Sequence, residues 1–346
     1  LALFIQRHLK NLDLRTEIQT IATHRHNVIA VIPGFTREKS LLLNGHLDTV
    51  GVEGMDDPFR LRQEDDRLFG RGTFDMKGSL AVMLLLAEYF TSHPPPLDIF
   101  LTFVADEEDK SLGMEYLVGN WLSDMSPLPI GAIFLEPTDE DIGICHKGFS
   151  WYALEVAGKA AHGSRPQEGI DAILPLRSAL NELNKIQTEL LKREADPLLG
   201  HAIIHCSMIT GGTELSVIPS HSHLQWERRT LPGETQQDLD SEMQRIVRAV
   251  GDHAGDHKVH ARQLFQRPSY KVPADAEILT RLQKASPQSA SVGLEFWADS
   301  ALAGVAGIPS LLFGPIGHGA HAVDEWVSLN SLLNIYETLK RLIMEF

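Results

Sequence analysis

The chain has 346 residues, of which 31 are Lys or Arg and 46 are Asp or Glu, giving a formal net charge of −15. This acidic balance argues against a nucleic-acid backbone or an anionic membrane surface as the main partner, although solubility alone also accounts for it. A hydrophobic fraction of 43% and a charged fraction of 22% are typical of a globular protein, and the length predicts about two domains.

The cysteine content and the apolar stretches indicate where the protein resides. Cys145 and Cys206 are too few for a disulfide framework and fit no zinc-finger spacing, which favours a reducing compartment. The longest apolar stretch, near residues 80–86, is too short to span a bilayer. We therefore expect a cytoplasmic protein without membrane contact. No signal peptide is visible. The chain begins at Leu1 rather than Met, so a missing N-terminal segment is left open and the location is only weakly bounded.

The first half of the chain alternates between strands and helices. Apolar runs at residues 40–44, 97–104 and 132–135 predict buried strands of a parallel sheet, because apolar residues fill both faces. Residues 79–90 and 111–122 have helical length and periodicity, and three prolines follow the first of these helices. This order predicts an α/β fold whose sheet is covered on both sides.

The pattern changes near residue 150. The predicted elements are then a strand at 151–156, a helix at 171–192, strands at 201–209 and 221–228, a helix at 236–250 and a strand at 258–264. This β-α-β-β-α-β order is ferredoxin-like. The α/β pattern resumes after Pro268, with a buried strand at 310–313 and a helix at 329–343. We predict a discontinuous domain of residues 1–149 and 265–346, interrupted by a smaller domain at 150–264.

Acidic and imidazole side chains follow several predicted strands, and each alone is more often a surface or capping residue. In chain order they are His46 and Asp48, then Glu107 and Glu108, then Glu136, with His321 late in the chain. Ligands of open α/β sheets bind beyond the carboxyl ends of the strands, so we expect these side chains to share one cleft. Carboxylates gathered there repel one another unless a cation neutralises them.

The spacing of these residues suits a metal site. His46 and Asp48 stand two residues apart, so in an extended chain one can bind a metal while the other orients it. A glycine-rich loop presents Asp75 just before a helix. The adjacent Glu107 and Glu108 point to opposite sides of an extended chain, so one can bind a metal while the other faces a substrate water. Imidazoles and carboxylates together suit zinc, cobalt or manganese.

Five motifs occur in one order along the chain. They are GHLDTV at 45–50, GTFDMKG at 72–78, DEE at 106–108, LEPT at 135–138 and GAH at 319–321. Together they closely resemble the acetylornithine deacetylase and succinyl-diaminopimelate desuccinylase family of two-zinc hydrolases, which also includes aminoacylases and glutamate-releasing carboxypeptidases. The resemblance covers nearly the whole chain. It implies a zinc-peptidase-like α/β catalytic domain with an inserted ferredoxin-like dimerisation or lid domain.

The resemblance assigns a metal-binding role to five residues of this chain. It implies that Asp75 bridges two zinc ions, for which cobalt or manganese are possible substitutes. It implies that His46 and Glu136 complete one metal site. It implies that Glu108 and His321 complete the other.

The resemblance also assigns the residues around the metals. It implies that Glu107 is the general base and later the acid in attack on an amide by a hydroxide bridging the metals. It implies that Asp48 orients His46 by a hydrogen bond. His318 is a rival of His321, but the AVDEW sequence after His321 matches the last ligand motif of the family.

The inserted domain contains a segment similar to one in the family's dimerisation domain. In the family, the histidine of this segment reaches the active site of the partner subunit and helps to stabilise the tetrahedral oxyanion. The sequence GKAAHGSRP at 158–166 therefore implies that role for His162 and a homodimer formed through this domain. The alternative is a surface histidine in a glycine-rich turn.

Two further positions of the inserted domain concern the substrate. The sequence WERRTLPG at 226–233 resembles a stretch whose arginine binds a substrate carboxylate, and it points to Arg229 rather than Arg228. The alternative is that both arginines are ordinary surface residues. Ser216 stands where the family often has Asn before Val-Ile-Pro, and its shorter side chain puts the substrate contact of that position in doubt.

The predicted activity is cleavage of an amide bond in an N-acyl amino acid or small peptide with a free carboxylate. The resemblance supports this, since the family has Glu at the position of Glu136 in deacylases and carboxypeptidases, whereas many of its aminopeptidases have Asp. One alternative is a dipeptidase or aminopeptidase on the same scaffold. Another is a metal-binding or regulatory homologue without catalysis, which requires a broken base or ligand that the sequence does not contain. The preferred acyl group and amino acid stay open.

Overall fold

The computed structural model describes residues 1–254 and 257–346, and it divides into two compact units. The first unit comprises Leu1–Cys145, Lys271–Gly293 and Ala298–Phe346, and the second comprises His146–Tyr270 and Leu294–Trp297. The predicted insertion at 150–264 lies inside the second unit. Its dimerisation and lid roles stay predictions.

The helices of the described ranges are α1 (Ala2–Asn11), α2 (Gly78–Ser92), α3 (Leu112–Leu117), α4 (Leu176–Lys192), α5 (Gln236–Ala254), α6 (Glu277–Ala285), α7 (Ser300–Val305) and α8 (Leu329–Met344). The helix predicted from residue 171 begins later, because the Asp171 carboxylate accepts hydrogen bonds from the Ile173 and Leu174 main-chain nitrogens in a turn. Among the described residues, no helix has both the length and the apolar character required to cross a membrane.

The strands of the first half are β1 (Arg15–Ala22), β2 (Arg25–Ile32), β3 (Ser40–His46), β4 (Arg62–Glu64), β5 (Arg67–Phe69), β6 (Asp98–Val104), β7 (Gly131–Phe134), β8 (Ile142–His146) and β9 (Gly148–Ala157). The later strands are β10 (Ala161–His162), β11 (Ile203–Gly211), β12 (Val217–Ile218), β13 (His221–Thr230), β14 (Lys258–Arg267), β15 (Tyr270–Lys271), β16 (Ser291–Leu294), β17 (Ser310–Leu312), β18 (Gly317–His318) and β19 (Trp326–Ser328).

The large sheet of the first unit has a parallel centre. Seven of its strands run in the order β1-β2-β6-β3-β7-β17-β8, β16 also pairs with β8, and β3 is parallel to both β6 and β7. Every residue of β3 is buried, as expected for a central strand with apolar side chains on both faces. The carboxyl ends of β6, β3 and β7 therefore lie side by side at one edge of the sheet.

A smaller sheet of the first unit joins two segments that are distant in sequence. Its strands run in the order β18-β19-β5-β4, and Trp326 of β19 pairs with Phe69 of β5. This pairing brings the chain that follows β5, which contains Asp75, next to the chain between β18 and β19, which contains His321.

The second unit contains an antiparallel sheet of order β11-β13-β9-β14 together with α4 and α5. The chain order β9-α4-β11-β13-α5-β14 is the predicted β-α-β-β-α-β order. Its core contains Tyr152, Leu154, Leu224 and Trp226 from the strands, packed with Leu183 and other helix residues. The mixed α/β fold class that the sequence predicts is confirmed.

Candidate active site

Three adjacent strand ends of the first unit supply most of the predicted site residues. His46 is the last residue of β3, Glu107 and Glu108 follow β6, and Glu136 follows β7. Asp75 comes from the turn over Thr73–Lys77 that precedes α2. These positions gather five acidic or imidazole side chains at one edge of the large sheet.

One group consists of His46, Asp75 and Glu136, whose candidate ligand atoms all lie within 4.8 Å of one another. His46 Nε2 lies 2.9 Å from Asp75 Oδ1 and 3.8 Å from Glu136 Oε2. His46 and Glu136 are buried. The His46 Nδ1–H donates a 3.0 Å hydrogen bond to the main-chain oxygen of Asp48, which leaves Nε2 as the atom that can bind a metal.

A second group consists of Asp75, Glu108 and His321. His321 Nε2 lies 2.9 Å from Glu108 Oε2 and 3.4 Å from Asp75 Oδ2. Asp75 thus directs one carboxylate oxygen to each group, as a bridging ligand does. His318 instead lies 3.7 Å from Asp324 and is exposed, so the structure brings His321 rather than His318 to this group.

The side chain of Asp48 does not make the hydrogen bond to His46 that the resemblance implies. Asp48 Oδ1 is 3.9 Å from His46 Nδ1, and the main-chain oxygen of Asp48 makes that bond instead. The Asp48 carboxylate accepts hydrogen bonds from the main-chain nitrogens of Asp106, Glu107 and Glu108 at 2.8, 3.3 and 3.1 Å. It therefore fixes the loop after β6, because three N–H groups are directed at its two oxygens.

The two groups favour positive charge at their centres. Hydrogen bonds to Asp75 and Glu108 raise the pKa of His321 to about 10. Burial disfavours the charged form of His46, but the negative charge of Glu136 and a hydrogen bond to Asp75 outweigh it and raise the His46 pKa well above its usual range. Burial disfavours the charged form of Asp75 as well, yet hydrogen bonds from His321 and His46 hold its pKa well below the ordinary value.

The donor atoms fit two divalent cations. Each group offers one imidazole nitrogen and carboxylate oxygens, a set suited to zinc, cobalt or manganese. Oε1 of Glu108 is buried and has no hydrogen-bond partner among the described residues, which leaves it available to a cation. Burial and nearby negative charges also raise the pKa of Glu136 to about 8. Cations that neutralise the negative charge of this cluster therefore favour the carboxylate form of Glu136.

Glu107 differs from the predicted ligands because it belongs to neither group. Burial raises its pKa well above the ordinary value, and the negative charges of Glu136 and Asp299 add to this effect. A carboxyl group with a raised pKa can both accept and return a proton near neutral pH. Asp299 is a further buried acid, and no strand-end motif points to it. Its position directly before α7 is the one feature of the sequence that could have drawn attention to it.

The remaining predicted residues belong to the second unit. His162 of β10 is exposed, and its Nδ1 accepts a 3.2 Å hydrogen bond from the Ser164 main-chain nitrogen, which leaves the proton on Nε2. Ser216 is also exposed, and its main-chain oxygen accepts a 2.7 Å hydrogen bond from Gly163. His162 and Ser216 thus lie on the two neighbouring segments joined by the pairing of β10 with β12.

The two adjacent arginines of β13 have different environments. Arg228 is buried and pairs with Glu234 and with Glu242, so the interpretation of both arginines as surface residues is wrong for Arg228. Arg229 is partly exposed, pairs with Glu227 and lies 5.3 Å from the centre of the Phe149 ring. Successive strand residues face opposite sides of a sheet, which explains the contrast.

The comparisons with known proteins agree with this architecture. An acetylornithine deacetylase from Buchnera aphidicola subsp. Schizaphis graminum is 27% identical, over 99% of this chain and 90% of the relative. A probable succinyl-diaminopimelate desuccinylase from Staphylococcus aureus is 28% identical, over 96% of this chain and 89% of the relative.

A solved structure from Bacillus subtilis, described as a dinuclear metal binding peptidase from the M20 family, superposes with a TM-score of 0.75 at 15% identity. The alignment covers 99% of this chain and 91% of that one, and it supports the fold. The model of peptidase family M20/M25/M40 matches residues 42–345. The resemblance drawn from the five motifs is therefore confirmed, and the chain belongs to peptidase family M20/M25/M40, as a metal-dependent amidohydrolase or peptidase.

Proposed function

We propose that this protein hydrolyses the amide bond of an N-acyl amino acid, or of a small peptide with a free carboxylate, using two zinc ions. The observation that carries the proposal is the position of Asp75, whose two oxygens face His46 and His321 separately. In this proposal His46, Asp75 and Glu136 hold one ion, while Asp75, Glu108 and His321 hold the other. The cations supply Lewis acidity and neutralise the negative charge that develops on the substrate carbonyl.

Glu107 is the proposed general base. In the proposed reaction its carboxylate accepts a proton from the attacking water, and the carboxyl group then returns a proton to the leaving amine nitrogen. Its raised pKa supports both steps, and the Asp48 carboxylate holds its main chain at the strand end. Asp48 is therefore proposed as a positioning residue for the loop of Glu107.

His162 is the proposed oxyanion donor. Because its Nδ1 accepts a hydrogen bond from Ser164, its exposed Nε2–H is free to donate to a developing oxyanion. The resemblance places this histidine at the active site of a partner subunit, so the proposal includes a homodimer formed through the second unit. Edge strand β11 supports this, since Met208 and Ile209 are 58% and 52% exposed there.

Arg229 is the proposed partner of the substrate carboxylate. A guanidinium binds a carboxylate in a bidentate manner. Arg229 pairs with Glu227, so the carboxylate of a substrate has to displace the Glu227 carboxylate from the guanidinium. Ser216, exposed beside the His162 segment, is a further proposed substrate contact.

A matched set of substrates tests the proposal with the zinc-loaded protein. We expect an N-acetyl amino acid to be hydrolysed faster than a dipeptide that releases the same amino acid from a free-amine residue. We expect the N-acetyl amino-acid amide, which lacks the free carboxylate, to be the poorest substrate. The reverse order, with the dipeptide fastest, supports the dipeptidase or aminopeptidase alternative. Metal analysis should find two zinc ions per chain.

A further inference from the structure

One buried acid links the two segments that supply Asp75 and His321. Glu325 lies four residues after His321 in the sequence and is 1% exposed. Its side chain contacts the loop before Asp75 rather than the solvent, and neither candidate metal group contains it.

Both carboxylate oxygens of Glu325 accept hydrogen bonds from this loop. Oε2 accepts from Arg71 Nη1 at 2.7 Å and from the Gly72 main-chain nitrogen at 2.8 Å. Oε1 accepts from the Phe74 and Asp75 main-chain nitrogens at 3.0 and 3.1 Å. One side chain thus fixes three main-chain nitrogens, and the last belongs to Asp75 itself.

The charge of Glu325 is compensated within the same contact. Burying a carboxylate is costly unless it is paired and fully hydrogen-bonded. Arg71 provides the opposite charge, and its own position is fixed because Nε donates to the Gly51 oxygen at 3.1 Å and its main-chain nitrogen donates to Pro58 at 2.9 Å. The charge partner of Glu325 is therefore itself held in place by contacts outside the metal cluster.

The backbone around this contact leaves little freedom. Gly72 has a φ of +79°, and a Cβ there would lie 2.7 Å from Thr49 Cγ2. Gly319 has a φ of +78°, and a Cβ there would lie 3.0 Å from the Cα of Glu325. Glycine is therefore required on both sides of the contact.

We propose that Glu325 is a positioning residue for Asp75, holding the loop of the shared ligand in register with the segment that carries His321. The inference rests on the proposed two-metal function. Because Asp75 belongs to both groups, displacing its main chain weakens both metal sites. A purely structural buried ion pair affects the stability of the fold alone.

The test is Co²⁺ binding to the metal-free chain, followed by visible absorption and by metal analysis. In Glu325→Gln an N–H group replaces one acceptor oxygen and faces donors of the loop. We expect about 10- to 100-fold weaker Co²⁺ binding at both sites, with an altered absorption spectrum. Glu325→Asp keeps the charge with a shorter reach and should lie between Glu325→Gln and the wild type.

The matched control is Glu242→Gln, which removes a comparably buried carboxylate that pairs with Arg228 in the second unit. It should lower the melting temperature without changing Co²⁺ affinity. The inference is overturned if Glu325→Gln, or Glu325→Asp where Glu325→Gln fails to fold, destabilises the chain but binds Co²⁺ like the wild type. A wild type that binds two Co²⁺ ions but cleaves no acyl amino acid contradicts only the proposed substrate class.

Discussion

The carboxylate of Asp48 accepts a hydrogen bond from the main-chain nitrogen of Glu107 at 3.3 Å. The same carboxylate accepts bonds from the main chains of Asp106 and Glu108, so one acid at the end of β3 fixes the loop at the end of β6. The effect of Asp48 on the proposed reaction therefore passes through the position of Glu107 and Glu108.

We predict that Asp48→Asn lowers kcat by about 10- to 100-fold and weakens the metal held by Glu108 and His321. The ion held by His46 and Glu136 should be retained, because the main-chain oxygen that orients His46 is still present. Metal titration together with steady-state kinetics measures both effects. Asp98→Asn is the control, since that carboxylate accepts a bond from the main chain of Gly34 away from the cluster. Loss of the His46 ion alone would contradict this assignment.

Substitution of Glu107 separates proton transfer from metal binding. We expect Glu107→Gln to lose about 10²- to 10⁴-fold in kcat while keeping two metal ions per chain, since Glu107 is in neither candidate group. Glu108→Gln should instead weaken the binding of one of the two ions. If Glu107→Gln loses an ion and Glu108→Gln does not, the two roles have to be exchanged.

His162→Ala should lower kcat by about 10²- to 10³-fold without changing metal content. The proposal that His162 acts in a partner subunit adds a second expectation. Mixing the two low-activity variants, His162→Ala and Glu107→Gln, and allowing their subunits to exchange, should restore part of the activity in mixed dimers. Wild-type turnover by His162→Ala contradicts the oxyanion role. If the mixed dimers regain no activity, His162 does not act in the active site of the partner subunit.

The edge strand of the second unit provides a test of the dimer. Ile209→Lys places a charge on exposed strand β11, and we expect a monomer in light scattering with reduced kcat. Leu264→Lys on strand β14, at the other edge of the same sheet, is the control and should stay dimeric. A dimer in both variants would place the interface elsewhere.

Acid stability should depend on His146. Burial lowers the pKa of its imidazole from 6.5 to about 4. As the pH falls, His146 therefore binds a proton in the unfolded chain before it does so in the folded chain. The free energy of unfolding is then independent of this group above about pH 6.5, and it decreases by about 3 kcal/mol between pH 6.5 and pH 4. Denaturant unfolding of His146→Gln should show a flatter dependence in this window. His24→Gln, which removes an exposed histidine at a turn, is the control.

The strand ends of the first unit could be predicted because their signal is local. Each of β3, β6 and β7 is a short apolar run, and an acidic or imidazole side chain stands at its last residue or within a few residues after it. Strand β1 lacks this signal, since Arg15–Ala22 mixes exposed, partly buried and buried residues along its length, whereas β2 has an apolar run at residues 28–32 and was missed. A cytoplasmic location and the boundaries of functional domains stay predictions.

Contacts between distant segments could not be predicted in this way. The role of the Asp48 carboxylate depends on which donors the loop after β6 presents, and spacing within one strand does not show them. The distinction between Arg228 and Arg229 depends on which sheet face packs against α4 and α5. Glu325 was visible only as part of the AVDEW sequence, because its partners lie about 250 residues earlier in the chain.

The pairing of β5 with β19 has a consequence for the order of events during synthesis. Residues that would hold the first ion, from His46 to Glu136, leave the ribosome long before His321 and Glu325 do. Contacts of such large sequence separation form slowly and late. The nascent chain therefore exposes an acidic cluster without its second imidazole until the last helix, α8, is nearly complete. A chain truncated before residue 321 lacks His321 and Glu325, and metal analysis should find it deficient in metal.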